Sequence, residues 1–349
     1  MKKIVLFALA SLIFASCEVE FSPNADWTEI PVVYCLLDQD EDTTYVRVQR
    51  CFLGEGNQYT YAAVADSNNY PQGALTVAIE EWNANVDATT GQWSRSGKSP
   101  LRVFVCDYTE TTDKENGIFD SSRQPLYVCA TAGQLDTSHV YRLVVVKNST
   151  GDTIATSETM LICGDLQLVR PNNVTKFQFA GTSGNKSCEF HWSAMKRARQ
   201  YQPLVRFFYR DFIINRQSVP IDTTIINHYI DIPCNVVKSN MRDPFYTTYL
   251  DQNYFLSTIK NSIIDTVCNK NIIDTVEIFI LSCTEPLAAF VYAGNPAGSL
   301  NQDPFTYTNI EGGLGVFAAR RRHMSFRIET PGSTLSNYKK TLKELGVGF

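Results

Sequence analysis

Val140-Tyr141-Arg142-Leu143-Val144-Val145-Val146-Lys147, Asn148-Ser149-Thr150-Gly151-Asp152, Thr153-Ile154-Ala155-Thr156-Ser157-Glu158-Thr159-Met160-Leu161-Ile162: two runs rich in β-branched residues enclose five residues of turn chemistry. Branched side chains are stiff at χ1 and suit a pleated surface, while Asn, Ser, Gly and Asp favour tight reversals, so this stretch predicts a β-hairpin. The same grammar runs upstream. Ile30–Leu37 and Thr43–Phe52 flank Asp38-Gln39-Asp40-Glu41-Asp42; Leu75, Val77 and Ile79 alternate with Thr76, Ala78 and Glu80; Leu101–Cys106 and Pro125–Cys129 follow. Alternation of period two places one face of each run in a core.

Six or so such strands over residues 29–164 predict an immunoglobulin-like β-sandwich. A second unit, 165–349, is expected to be β-rich as well. Trp192 on one strand and Tyr201 opening the next resemble the B–C strand pair of fibronectin type III domains, and Val276–Leu281 is a further strand. Within this unit Tyr246, Leu250, Tyr254, Ile259 and Ile263 carry helical spacing, which predicts one longer helix over 243–264. Leu335, Tyr338, Leu342 and Leu345 share a face of a short terminal helix with Gly346 at its C-cap. The fold class expected is therefore mainly β, two sandwich-like domains with these two helices in the second.

The 349 residues exceed what one core usually serves, in keeping with two domains. With 31 basic against 36 acidic residues the net charge is −5, the wrong sign for a nucleic-acid binder. The first residues give an address. Met1-Lys2-Lys3 precedes an apolar stretch, Ile4–Phe14, too short to span a bilayer, and Phe14-Ala15-Ser16-Cys17 follows. Small residues before a cysteine are what a lipoprotein signal peptidase cuts, so residues 1–16 are expected to be a signal peptide, Cys17 the lipidated residue, and 17–28 a polar tether. The expected partner of Cys17 is membrane lipid; periplasmic and surface-exposed faces both stay open. Ten cysteines minus Cys17 leave nine, an odd number, several of them closing apolar runs as small buried thiols would, with one or two disulfides of open pairing also allowed.

Catalytic patterns are scarce. His139, His191, His228 and His323 have no Cys, Asp or Glu at ligand or triad spacing, no nucleophile-elbow or zinc-helix motif occurs, and no metal or cofactor is expected. Asp38, Asp40 and Asp42 begin like a calcium loop, but Thr43 and Gln49 stand where Gly and Glu are required. Candidate ligand contacts are Trp93, in a polar loop, and the run Arg320-Arg321-Arg322, which alternates faces on a strand. Asp-Thr followed by a small or apolar residue occurs at Thr43, Thr153, Thr223, Thr266 and Thr275, a pattern resembling the acceptor for periplasmic O-glycosylation in Bacteroidota; strand-opening turns produce it too.

Glu311-Gly312-Gly313-Leu314-Gly315-Val316-Phe317 is rich in glycine without being a nucleotide loop, and a tight turn with positive φ is the better reading. Taken with Tyr307-Thr308-Asn309-Ile310 before it, the opening Ile30-Pro31-Val32-Val33-Tyr34, the block Trp192–Tyr209 and Cys17, this segment resembles a Bacteroidota envelope lipoprotein family known as domain of unknown function 4249. The resemblance implies an outer-membrane lipoprotein often encoded beside TonB-dependent transporters, and it carries no catalytic residues. The function expected is a non-enzymatic accessory that binds a protein or ligand beside such a transporter; the alternatives are a structural or adhesive surface protein, such as a pilus-like subunit, and an envelope hydrolase.

Overall fold

The structure, a computed structural model, describes residues 29–51, 57–112, 117, 123–182, 185–215, 222–263, 269–294 and 307–347. The signal peptide, Cys17, the tether to residue 28 and Thr266 lie outside the described residues, as does the side chain of Thr223. The described residues are mainly β, 53% strand against 15% helix, in several sheets.

The first half comprises β1 (Pro31–Leu37), β2 (Thr43–Arg50), short helices α1 (Gln58–Ala62) and α2 (Ala65–Asn68), β3 (Leu75–Val86), β4 (Trp93–Ser96), β5 (Arg102–Val105), β6 (Asp107–Thr111), β7 (Gln124–Ala130), β8 (Val140–Lys147) and β9 (Asp152–Met160). The strand order β1-β2-β7-β6 makes one layer; β3-β8-β9, with β4 and β5 both paired to β3, makes the other. The hairpin expected at residue 140 is β8–β9, with a bulge at Val145/Val146. Val33, Cys35, Val46 and Val48 from the first layer meet Val77, Ile79, Leu143 and Val145 from the second in one core. Each fully buried aliphatic side chain of this kind stabilises the fold by about 1.5–3 kcal/mol. A disulfide joins Cys106 to Cys129, while Cys35, Cys51, Cys163, Cys188, Cys234 and Cys283 are free thiols.

The second half comprises β10 (Leu168–Arg170), β11 (Ala180–Thr182), β12 (Asn185–Ser193), β13 (Gln200–Asn215), β14 (Asp222–Pro233), β15 (Val237–Lys238), β16 (Phe245–Asp251), α3 (Gln252–Ser262), β17 (Asn269–Cys283), α4 (Glu285–Ala293), β18 (Leu314–Glu329) and α5 (Gly332–Glu344). Here β10, β11 and β16 pair with β12, facing a layer ordered β14-β13-β17-β18. Trp192 and Tyr201 sit at the centre of the core between them, ring centroids 5.8 Å apart, and the Tyr201 hydroxyl accepts the Met195 N–H. The terminal helix is present as α5, with Tyr338 and Leu342 buried.

The helix over 243–264 is a correction. Residues 245–251 form strand β16, paired along its length with β12, and only Gln252–Ser262 is helical. Tyr246, Thr248 and Leu250 alternate inward, and Asp251 caps the helix by accepting the N–H groups of Asn253 and Tyr254. The inward positions of the strand are 246, 248 and 250, so the spacing of four from Tyr246 to Leu250 satisfied both periods.

The two halves share a strand. The first part of β18 pairs in parallel with β1, Val32 opposite Leu314 through Leu37 opposite Ala319. Its remainder pairs antiparallel with β17, Cys283 opposite Arg320 through Thr275 opposite Glu329. One nine-stranded sheet therefore runs through both halves. Ile310, Phe317 and Ala319 are buried in the core of the first half, so that core draws on residues beyond the expected boundary at 164.

The glycine segment makes this junction. Gly312 is left-handed (φ +77°), as the tight turn requires, and Gly315 has φ +114°. A Cβ on Gly315 would lie 2.0 Å from the Val33 carbonyl oxygen, and one on Gly313 2.5 Å from that of Pro31. Asn309 clamps the turn, its side chain accepting the Phe317 N–H and donating to the Phe317 carbonyl.

Candidate functional site: a cleft beside the shared strand

Alternation along β18 turns Arg320 and Arg322 toward the outer face of the second half's sheet, while His323 turns into the protein. The register sets their neighbours: Arg320 lies opposite Cys283, and Arg322 opposite Leu281; Gln200 and Gln202 continue these two rows on β13. Helix α4 flanks the rows. Its Phe290 meets Tyr34 of β1 edge to face at 5.8 Å, and its Glu285 is paired with Arg199 at 3.0 Å, which leaves Leu287 and Val291 facing a cleft. Asp38 and Glu41, at the tip of the β1–β2 hairpin, line another part of the same cleft. Its volume is about 390 Å³, the size of a small-molecule site.

The three arginines have three different environments. Arg321 is spoken for: it reaches Asp40 at 2.8 Å and donates to the Gly164 carbonyl. Arg320, half-exposed, has its Nε 3.6 Å from the Asp38 Oδ2. Arg322 is exposed and stacks 4.1 Å over the Phe279 ring. Phe279 also carries Arg206 at 5.0 Å, Arg206 lies 4.1 Å over Tyr229, and a bidentate pair (2.7 and 2.8 Å) ties Arg206 to Asp231. The result is a ladder of cations and rings across β18, β17, β13 and β14. Among the described residues no carboxylate comes within ion-pair distance of Arg322.

Asp38 is the matching group of opposite sign. It is 3% exposed; its Oδ1 accepts the Asp40 N–H, and its Oδ2 has no hydrogen-bond donor. Burial raises its carboxyl above the usual range, and the Asp40 N–H and Arg320 offset only part of that. Cys283, also on the cleft wall, is no nucleophile at neutral pH, because burial pushes its thiol up to about 11.

A second, more open cavity of about 720 Å³ lies beside Glu81 in the first half. There the chemistry is already satisfied. Buried Glu81 meets the His139 Nδ1 at 2.9 Å, the Tyr141 hydroxyl at 3.0 Å and the Arg102 Nε at 3.5 Å. His228 is likewise 3.1 Å from Asp211, which also binds Lys270 at 2.8 Å. Neither His–carboxylate pair was visible as a sequence spacing, since sheet register brings the partners together.

Trp93 departs from its expected setting. It opens strand β4 instead of lying in a loop, is half-buried against Trp82, Val140 and Met160, and does not line the cleft. Of the Asp-Thr sites, Thr153 is exposed at the start of β9, whereas Thr43 and Thr275 are half-buried in β2 and β17. Sequence reasoning found the arginines but missed Asp38 as their counterpart and missed α4 entirely. The Pro286 at the first turn and the unbroken apolar run Leu287–Ala293 were the available signals for that helix.

No family model matches the chain, and no curated protein is similar to it.

Proposed function

We propose that this chain is a lipid-anchored outer-membrane protein that binds a ligand without transforming it and serves as an accessory to a TonB-dependent transporter. The observation that carries the binding role is the cleft, where Asp38 Oδ2 has no hydrogen-bond donor and only the Arg320 Nε 3.6 Å away, and where Arg322 has no carboxylate partner among the described residues. A folded protein normally satisfies such groups internally, and a pocket that leaves them open is a receptor for something that supplies the partners. The anchor rests on Lys2, Lys3, the apolar stretch and Cys17, and the transporter on the sequence resemblance. The layer orders β1-β2-β7-β6 against β5-β3-β8-β9, and β10-β12-β16 against β14-β13-β17-β18, support the immunoglobulin and fibronectin type III readings of the two halves.

The test is gentle solubilisation of native outer membranes through a C-terminal tag, followed by mass spectrometry. A stoichiometric TonB-dependent transporter is the expected companion; recovery of the protein alone, or as a ladder of itself, would defeat the accessory role. Cys17→Ala is expected to release the protein from membranes, and unchanged fractionation would refute the anchor. The adhesive alternative has one observation in its favour. Strand β14 is a twelve-residue sheet edge with Ile225, Ile226 and Tyr229 exposed, a surface on which another strand could add.

A further inference from the structure

Accepting that the cleft is a binding site, its unspent groups say what kind of molecule it takes. A buried carboxylate oxygen without a hydrogen-bond donor costs stability until a donor arrives, and Asp38, a residue of the cleft wall, has such an oxygen in Oδ2, whose nearest cation is the Arg320 Nε at 3.6 Å. At the other pole, the Arg322 guanidinium lies 4.1 Å over the Phe279 ring, a contact that reduces the rotamer entropy it has left to lose. Between the poles Leu204 and Leu281 on the sheet and Leu287 and Val291 on α4 form an apolar stretch of wall, with Gln200, Gln202 and Arg320 beside it. Glu41 adds a second carboxylate on the hairpin side. The site is dipolar with an apolar middle.

The register also gives its length. Asp38 is beside Arg320, and Arg322 lies two residues further along the same face of β18. At about 3.3 Å per residue that is about 7 Å of strand, and roughly 7–10 Å between the two charged ends once side chains are added. An extended chain covers about 3.3–3.6 Å per residue, so two or three residues fit the span.

We infer that the cleft binds a short apolar peptide with free ends, its terminal carboxylate on Arg322, its terminal ammonium on Asp38 with Glu41 nearby, and its side chains against Leu281, Leu287 and Val291. A fatty acid would satisfy Arg322 and the apolar wall but would leave the Asp38 oxygen without a donor. A sugar acid would satisfy both poles and waste the leucines. The inference rests on the binding role proposed above but not on the transporter.

The experiment is calorimetric titration of the purified mature chain with trileucine, N-acetyl-trileucine, trileucine amide and octanoate. Trileucine is expected to bind one to one. Removing either terminal charge deletes a charge-assisted hydrogen bond and is expected to weaken binding about tenfold or more. Arg322→Gln is expected to lose the preference for the free acid over the amide, while Arg327→Gln, whose partner is Glu277 outside the cleft, leaves it intact. The inference is overturned if trileucine does not bind, if the amide or the acetylated peptide binds as tightly as trileucine, or if octanoate matches it. These comparisons use ligand chemistry on the unaltered protein, so they stand even where a variant misfolds. A transporter in the pull-down without peptide binding would keep the accessory role and discard this ligand; peptide binding without a transporter would do the reverse.

Discussion

At the scale of single residues, Gly315 and His323 show what one atom or one proton is worth in this fold. The chain at Gly315 passes so near Val33 that a methyl group would overlap its carbonyl oxygen, and the backbone there has a positive φ that L side chains rarely adopt. Gly315→Ala is therefore expected to lower the unfolding free energy by about 3 kcal/mol or more, read as a fall in the urea midpoint, whereas Gly133→Ala, left-handed but in open space, costs much less. The glycines of this segment were conspicuous in the sequence, and the turn at Gly312 was legible; the close approach at Gly315 was not, because the obstructing carbonyl belongs to the opposite end of the chain. His323 is buried, its ring nitrogen 2.6 Å from the Met195 sulfur. Burial, then repulsion from Arg321, lowers its pKa to about 4, with Asp40 and Asp165 offsetting part of this. The unfolded chain thus binds a proton between about pH 6.5 and 4 that the folded one refuses, so stability falls as pH drops through that window and is flat above it. Asp38 acts with the opposite sign, since its raised carboxyl lets the folded state take up a proton first. Replacing His323 with Phe is expected to flatten the slope of denaturation midpoint against pH between 4 and 6.5; an unchanged slope would mean that other groups set it.

At the scale of elements, the strands were the legible part. The hairpin β8–β9, the pair β1–β2 and the terminal helix follow from side-chain periodicity alone, because one face of each is buried and the other is not. The segment 245–262 shows where that logic fails. Inward residues at 246, 248 and 250 and then 255, 256 and 259 switch from period two to helical spacing at Asp251, and a window spanning both averages them into one helix. The switch has a physical marker in the cap. Asp251 accepts two amide protons at 2.8 and 2.9 Å that would otherwise be orphaned at the helix start. Asp251→Ala is expected to cost about 1 kcal/mol, with Asp251→Asn recovering most of it. The denaturant midpoint should shift while its slope stays constant, since the loss is of a cap and not of the fold. Helix α4 was missed for a different reason: Leu287–Ala293 is apolar all round, so it has no polar face against which an apolar stripe could stand out, and Pro286 at its start was the signal to use.

At the scale of the molecule, β18 decides how the halves depend on each other. A break near residue 164 was the natural reading of the sequence, because the run of short strands of the first half ends there. What that reading could not see is that the first core is closed by residues 307–319, which add a parallel strand to β1, bridge to β9 through Thr156 and Glu311, and bury Ile310, Phe317 and Ala319. A fragment of residues 29–164 would therefore lose that part of its core and leave the edge of β1 unpaired, a template for aggregation. Each lost apolar side chain removes about 1.5–3 kcal/mol where only marginal stability exists to begin with. The fragment is expected to lack dispersed amide resonances and a cooperative melt, and joining residues 307–319 to it through a flexible linker is expected to restore both. In the intact chain the same strand is hydrogen-bonded on into β17, so loss of either half strips β18 of a partner and one thermal transition is expected. Two separate calorimetric transitions, or a sharp melt from the bare fragment, would show that β18 merely spans two independent sandwiches. Since Arg320 and Arg322 stand on that strand while Asp38 stands at the end of β1, an independent pair of halves could not hold the cleft's two poles at a fixed span, and selectivity for peptide length should disappear with the cooperativity.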